Sequence, residues 1–151
     1  MKLSEKWGRV GFLTSSKGIT RVIFPGQKYT ANQSAAAIKA AQKLKQYFAS
    51  GKPNFRKLPF DMSRLTPFQR KVLITLLGLP AGKTISYSEL AKRSGYPKAS
   101  RAVGSVMSHN PFPILIPCHR VTRADGTLGN YAFGVHWKKR LLAHEKIACP
   151  A

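Results

Sequence analysis

Two apolar runs rich in β-branched and aromatic residues open the chain, Arg9–Thr14 and Ile19–Phe24, with Ser15-Ser16-Lys17-Gly18 between them. That pattern predicts a β-hairpin, which Pro25-Gly26 stops. The period then changes. Ala37, Ala40 or Ala41, Leu44 and Phe48 recur at helical spacing and predict a helix over Ala35–Phe48. Asn32 or Ser34 is its candidate N-cap, and Ser50-Gly51-Lys52-Pro53 its stop. Lys39, Lys43 and Lys45 read as solvated charges on this helix. Asn54 to Arg64 reads as a linker with a short extended piece around Leu58-Pro59-Phe60.

The second half is helical in grain. Thr66-Pro67 is a helix start, with Thr as N-cap and Pro in the first turn. Phe68, Val72, Leu73, Leu76 and Leu77 form its apolar stripe, ending near Gly78. Ser86 caps a short helix over Tyr87–Lys92, with Glu89 placed to complete a capping box. Gly95-Tyr96-Pro97 breaks it. A further helix runs from about Ala99 to His109 and ends at Asn110-Pro111. Two short helices across a Gly-containing turn form a helix-turn-helix pattern, which on its own is common in helical proteins.

The start of the second helix is smooth. Lys98-Ala99-Ser100-Arg101-Ala102-Val103-Gly104-Ser105 carries Ala, Ser and Gly where a major-groove reader would carry long polar side chains. Small residues suit close approach to a narrow groove, and equally tight packing against another helix. Beyond it lies Ile114-Leu115-Ile116-Pro117-Cys118-His119-Arg120-Val121, an apolar run of strand character that feeds into a thiol, an imidazole and a guanidinium. The run should be buried. A His or Arg beside a cysteine lowers the thiol's pKa toward the reactive thiolate. Cysteine is also among the most buried and inert residues, and adjacency in sequence alone favours that reading.

Charge narrows the function class. Against 26 Lys+Arg the chain has 5 Asp+Glu, a formal net charge of +21. Such a surplus lies on the surface and is drawn to a polyanion, nucleic acid before anionic membrane. The length of 151 residues suits one or two small domains, and 43% hydrophobic content is globular. No apolar run is long enough to span a bilayer, and Met1–Trp7 lacks a signal-peptide core, so a cytoplasmic protein is expected. Two cysteines, Cys118 and Cys149, are too few for a disulfide scaffold, no clustered Cys/His set suggests a metal, and Cys149 reads as a bystander.

Several stretches together resemble the alkylguanine-DNA alkyltransferases, the methylated-DNA–protein-cysteine methyltransferase family. They are Thr66–Leu73, Ile85–Ala91, Arg101-Ala102-Val103-Gly104, Asn110-Pro111, Pro113–Val121, Gly129-Asn130-Tyr131 and Leu141–Glu145, in order and spacing over more than half the chain. Pro-Cys-His-Arg-Val is highly specific in that company. The resemblance implies an α+β fold. Residues 1–63 would form a small N-terminal α/β domain with linker. Residues 64–151 would form a mainly helical C-terminal domain carrying the helix-turn-helix and the active site.

The resemblance also implies residue roles. Cys118 would accept the alkyl group in a single turnover, His119 would act through a water as its base, and Glu145 would orient His119. Asn110 would tie the recognition helix to the active-site turn. Tyr87 would crowd the target phosphate and hydrogen-bond the leaving guanine. Arg101 would enter the duplex as the damaged nucleotide flips out. Ala99, Ser100, Ala102, Gly104 and Arg120 would join Arg101 and Tyr87 on the DNA side. Met107, Val121, Tyr131, Ala132 and Phe133 would surround the lesion, with the Cys118 and Val121 carbonyls accepting from the guanine amino group.

The implied partner is double-stranded DNA holding O6-alkylguanine, approached through the minor groove by a monomer that needs no cofactor and no membrane. Ala132 replaces a residue that is often Ser or another polar residue in the family, and Phe133 one that is often small, so Phe133 is expected to narrow or reshape the pocket. Rival readings from other classes are a helix-turn-helix protein with a structural thiol, a lesion sensor that does not repair, and a cysteine hydrolase.

Overall fold

The structure, a computed structural model, describes residues 2–4, 7–28, 33–50 and 55–145. Asn32, the Gly51–Pro53 stop and Cys149 lie outside the described residues. Two antiparallel hairpins come first. Strands β1 (Lys2–Ser4) and β2 (Gly8–Arg9) form one, and β3 (Gly11–Ser15) and β4 (Gly18–Ile23) form the other. Gly18 has φ +140°, and a Cβ there would lie 2.1 Å from the Pro59 carbonyl oxygen. That close approach lets the linker pair with the hairpin edge. The Ile19 N–H donates to Pro59 O at 2.7 Å, and the Asp61 N–H donates to Ile19 O at 2.8 Å.

Helix α1 spans Ala35–Ser50, and the Ser34 hydroxyl accepts from the Ala37 N–H at 3.2 Å. Its buried stripe is Ala37, Ala40, Leu44 and Tyr47. The 3-4-3 spacing therefore runs on to Tyr47, and the expected Phe48 sits half-buried beside it.

Helix α2 (Pro67–Leu77) opens on a complete Thr66/Gln69 capping box. Strand β5 (Ile85–Ser86) leads directly into α3 (Tyr87–Arg93), where Ser86 Oγ accepts from the Glu89 N–H. The Glu89 carboxylate turns instead to Arg93 at 3.1 Å, an i,i+4 pair, so only half of the expected capping box forms. Helix α4 covers Ser100–Ser108.

The apolar run before Cys118 is buried but is no strand. Pro111, Pro113 and Pro117 lack amide protons for a ladder, and Ile114 adopts φ +71°. A left-handed β-branched residue, 1% exposed, is a local strain that tight surroundings must hold. A 3₁₀ turn, Cys118–Arg120, follows, then β6 (Val121–Thr122) and α5 (Val135–His144). Helix α5 adds to the elements that the sequence pattern predicts. Its inward face is Lys138, Leu141, Leu142 and Glu145, spaced i, i+3, i+4, i+7.

One contiguous apolar cluster runs from the hairpins through α1 to α2, α4 and α5. Phe24 at the end of β4 stacks on Phe133 with centroids 4.0 Å apart, and meets Trp137 edge-on at 4.8 Å. The Val22 N–H donates to Pro111 O at 2.8 Å. The N-terminal sheet thus supports the turn that delivers Cys118.

Candidate active site

Parallel pairing of β5 with β6, Ile85 with Val121 and Ser86 with Thr122, brings two distant segments together. Tyr87 begins α3 directly after β5, and Cys118 opens the 3₁₀ turn that runs into β6. Both therefore line one cleft of about 520 Å³, together with Met107, Tyr131, Ala132 and the α4 residues Ser100, Arg101 and Gly104. Gly129 (φ +71°) lets this wall close in, since a Cβ there would stand 3.4 Å from the Tyr87 hydroxyl.

Cys118 sits at the floor of the cleft, 4% exposed. Asn110 fixes the turn that carries it. Its Nδ2 donates to Ile116 O at 3.0 Å, and its Oδ1 accepts from the Phe112 N–H at 2.9 Å. Burial pushes the Cys118 thiol up, against the pull of Asn110 and the Lys138 charge. The resting sulfur is therefore a protonated thiol that needs a base. The Tyr131 hydroxyl is buried against it, yet among the described residues it makes no hydrogen bond of ordinary geometry.

His119 and Glu145 supply that base. His119 Nε2 donates to Glu145 Oε2 at 2.7 Å, with both side chains fully buried. Burial alone would raise the Glu145 carboxyl, but His119 and Arg120 hold it down at about 2. Burial also lowers His119, so the imidazole rests neutral. An ionised carboxylate only accepts, which places the ring proton on Nε2 and leaves the Nδ1 lone pair free. Nδ1 is buried and has no partner among the described residues. No direct hydrogen bond joins it to the Cys118 thiol.

Two further donors complete the carboxylate. Arg120 gives it a fork, Nε to Oε1 at 2.7 Å and Nη2 to Oε2 at 3.0 Å, and its Nη1 reaches Leu79 O at 2.9 Å. The Tyr47 hydroxyl of α1 donates to Oε2. Beneath the cleft, the fully buried Lys138 ammonium donates to the carbonyls of Val121 (2.6 Å), Leu128 (2.5 Å) and Asn130 (3.1 Å). Burial pulls this lysine down to about 8.

The structure brings together Cys118, His119, Glu145, Tyr87, Asn110, Met107 and Tyr131, and places Arg101 and Gly104 on the cleft wall. Three expectations change. Arg120, placed with the DNA-facing residues, is 4% exposed and spends its guanidinium on Glu145 and Leu79. Phe133, expected to narrow or reshape the pocket, does not line it; the ring stacks on Phe24 and backs the cleft residue Tyr131 edge-on at 5.7 Å. Val121 is fully buried behind the cleft, and its carbonyl accepts a hydrogen bond from the Lys138 ammonium.

Tyr47, Lys138 and Arg123 join the site in addition to the residues expected from the sequence. Lys138 shares a helical face with Leu141, Leu142 and Glu145, so a charge on an apolar stripe was the signal. Arg123 lines the cleft beside Tyr87. Among the described residues no three His, Cys, Asp or Glu side chains are disposed to hold a metal ion.

The smooth face of α4 points outward. Arg101 and Ala102 are exposed, Ser105 and Ser108 likewise, and a Cβ on Gly104 would meet nothing within 4 Å. Packing against another helix therefore does not account for these small residues. Tyr87 lies half-buried behind this face. Burial and the neighbouring Cys118 raise its hydroxyl, leaving it a proton donor.

The model of the 6-O-methylguanine DNA methyltransferase DNA-binding domain matches residues 67–147. The chain is 36% identical over 143 residues to a methylated-DNA–protein-cysteine methyltransferase of Methanothermobacter thermautotrophicus, covering 92% of this chain and 80% of that one. It is 38% identical over 144 residues to the Mycobacterium tuberculosis protein of the same name, covering 95% and 86%. The crystal structure of Mycobacterium tuberculosis OGT in complex with DNA superposes with a TM-score of 0.73 at 33% identity, over 91% of this chain and 92% of that one. With the buried Cys-His-Glu constellation at the foot of a cleft, and a family match over more than half its length, this chain belongs to the 6-O-methylguanine DNA methyltransferase family.

Proposed function

We propose that this protein repairs DNA by moving an alkyl group from O6 of guanine in a duplex onto its own Cys118, once per molecule. The observation that carries the reading is the buried thiol at the floor of a cleft, with a neutral His119 whose tautomer Glu145 fixes. The thiol proton passes toward His119 Nδ1 through a water, while sulfur attacks the alkyl carbon in line. The S–C bond forms as the C–O6 bond breaks, and Tyr87 supplies a proton to the leaving guanine ring. The imidazolium then returns its proton through water to Tyr87, so the net result is a thioether on Cys118 and an ordinary guanine, with one proton moved from the thiol to the base.

A thioether is not hydrolysed and does not exchange with thiols as a disulfide does. The protein is therefore a reagent that is used up.

Reaching O6 requires the nucleotide to leave the stack. The small outward residues of α4 suit the minor groove, with Ala99, Ser100 and Ala102 against the backbone and Arg101 filling the emptied space. Met107, Tyr131 and Ala132 receive the base. Residues 64–151 carry DNA binding and chemistry in this assignment, and residues 1–63 support them. A net charge of +21 supports duplex binding by a monomer. Among the described residues no helix is long and apolar enough to cross a membrane, which suits a repair protein working on DNA in the cytoplasm. The test is an excess of duplex holding O6-methylguanine. Repaired sites should level off at one per protein molecule, and continued turnover would contradict the reading.

A further inference from the structure

We propose that Tyr47, supplied by the N-terminal helix α1, is a positioning residue of this active site. Its hydroxyl holds the Glu145 carboxylate against His119 and draws off part of its charge. This rests on the reading of Glu145 and His119 given above.

The geometry is specific. Glu145 Oε2 accepts from three donors, His119 Nε2 at 2.7 Å, Arg120 Nη2 at 3.0 Å and the Tyr47 hydroxyl, while Oε1 takes Arg120 Nε at 2.7 Å. Tyr47 is fully buried and lies 98 residues from Glu145 in sequence. Its ring is fixed by Phe55 and His144, with centroids 5.8 and 5.3 Å away, and its carbonyl is bonded by His144 Nε2 at 2.8 Å. A Phe would fill the same apolar stripe without the cost of burying a hydroxyl. The hydroxyl is spent on the one carboxylate that sets the base.

The charge balance gives the sign. Groups facing the pair are Arg120 and Cys118 from the 3₁₀ turn, Tyr47 from α1, Lys138 and His144 from α5, and Tyr131 from the cleft loop. Each donor on Glu145 weakens its pull on a proton at His119. Removing the Tyr47 hydroxyl leaves more negative charge facing the imidazole, stabilises its protonated form and raises its pKa. Alkyl transfer needs neutral His119, so the acidic limb of the rate profile must move to higher pH.

The experiment follows single-turnover transfer against pH for the full chain with free O6-benzylguanine, which keeps DNA affinity out of the readout. Tyr47→Phe should lower the plateau about three- to tenfold and move the limb up by about half a pH unit. A fluorinated tyrosine at position 47 is a near-isosteric, stronger donor and should move the limb down. If Tyr47→Phe does not fold, the fluorinated variant decides alone, and an unmoved limb refutes the proposal. If both limbs stay put while Glu145→Gln abolishes transfer, Tyr47 only packs and the His119–Glu145 reading stands. If Glu145→Gln also transfers normally, that reading falls and the Tyr47 proposal with it.

Discussion

Arg120 and Glu145 form a two-pronged ion pair, with Nε to Oε1 at 2.7 Å and Nη2 to Oε2 at 3.0 Å, in the wall behind the reactive thiol. The guanidinium next to Cys118 in sequence thus serves the base rather than the DNA. Removing one partner of a buried pair strands the other charge at a cost of about 3–5 kcal/mol. Arg120→Met should therefore lower the urea midpoint sharply, while DNA affinity per folded molecule stays near wild type.

Glu145→Gln strands the Arg120 charge in turn and should also lower the urea midpoint, so its effect on catalysis is read per folded molecule. The Gln amide can donate to His119 Nε2, which then accepts and moves the ring proton to Nδ1. The base is lost, and transfer should slow about a hundredfold or more at neutral pH. Duplex affinity, measured by fluorescence anisotropy, should change little. Equal losses in both would make Glu145 a purely structural residue.

Acid should weaken the fold through the same pair. The Glu145 carboxyl lies at about 2 in the folded chain against an ordinary 4.5. A carboxylate depressed by folding stabilises above its unfolded pKa, and that stability is lost as pH falls toward the folded value. His119, lowered by burial, acts in the same direction below its ordinary 6.5. Urea unfolding at pH 7, 5, 4 and 3 should show a decline beginning below neutrality, with Glu145 contributing about 2 kcal/mol of the loss by pH 3.

Arg101 and the general basic surface should separate. Arg101→Ala should slow repair of duplex lesions sharply, because it leaves unstacking, which costs a few kcal/mol, without a substitute. Transfer from free O6-benzylguanine should be nearly untouched, and the salt slope of DNA binding should fall by about one unit at most. Parallel loss on both substrates would assign Arg101 to the pocket or the fold.

Much of the fold's local punctuation could be read from the sequence because its signals are short-range, whereas the site residues lie far apart and were legible only through the family resemblance. Thr66-Pro67, Ser86 and the Ser15–Gly18 turn are short-range signals, and the structure keeps them. The Ile114–Ile116 run shows where such reading stops. Its burial was legible, but three prolines and a left-handed Ile114 turn it into a strained loop. Tyr47 and Lys138 are not legible in the sequence because their partners lie well away along the chain and their roles depend on tertiary contact. Arg120 misled for the same reason: a surface role suits an arginine until a buried carboxylate claims it. The packing of Phe133 is not legible in the local sequence, because the ring it stacks on, Phe24, follows the N-terminal hairpin.

The most direct test maps the methyl group. After reaction with duplex DNA holding O6-methylguanine, the protein is digested and its peptides are read by mass spectrometry. One methyl should sit on Cys118, none on Cys149, and Cys118→Ala should bind the duplex yet take up none. A methyl on Cys149, or on no residue while the lesion disappears, would contradict the assignment of Cys118 as the acceptor.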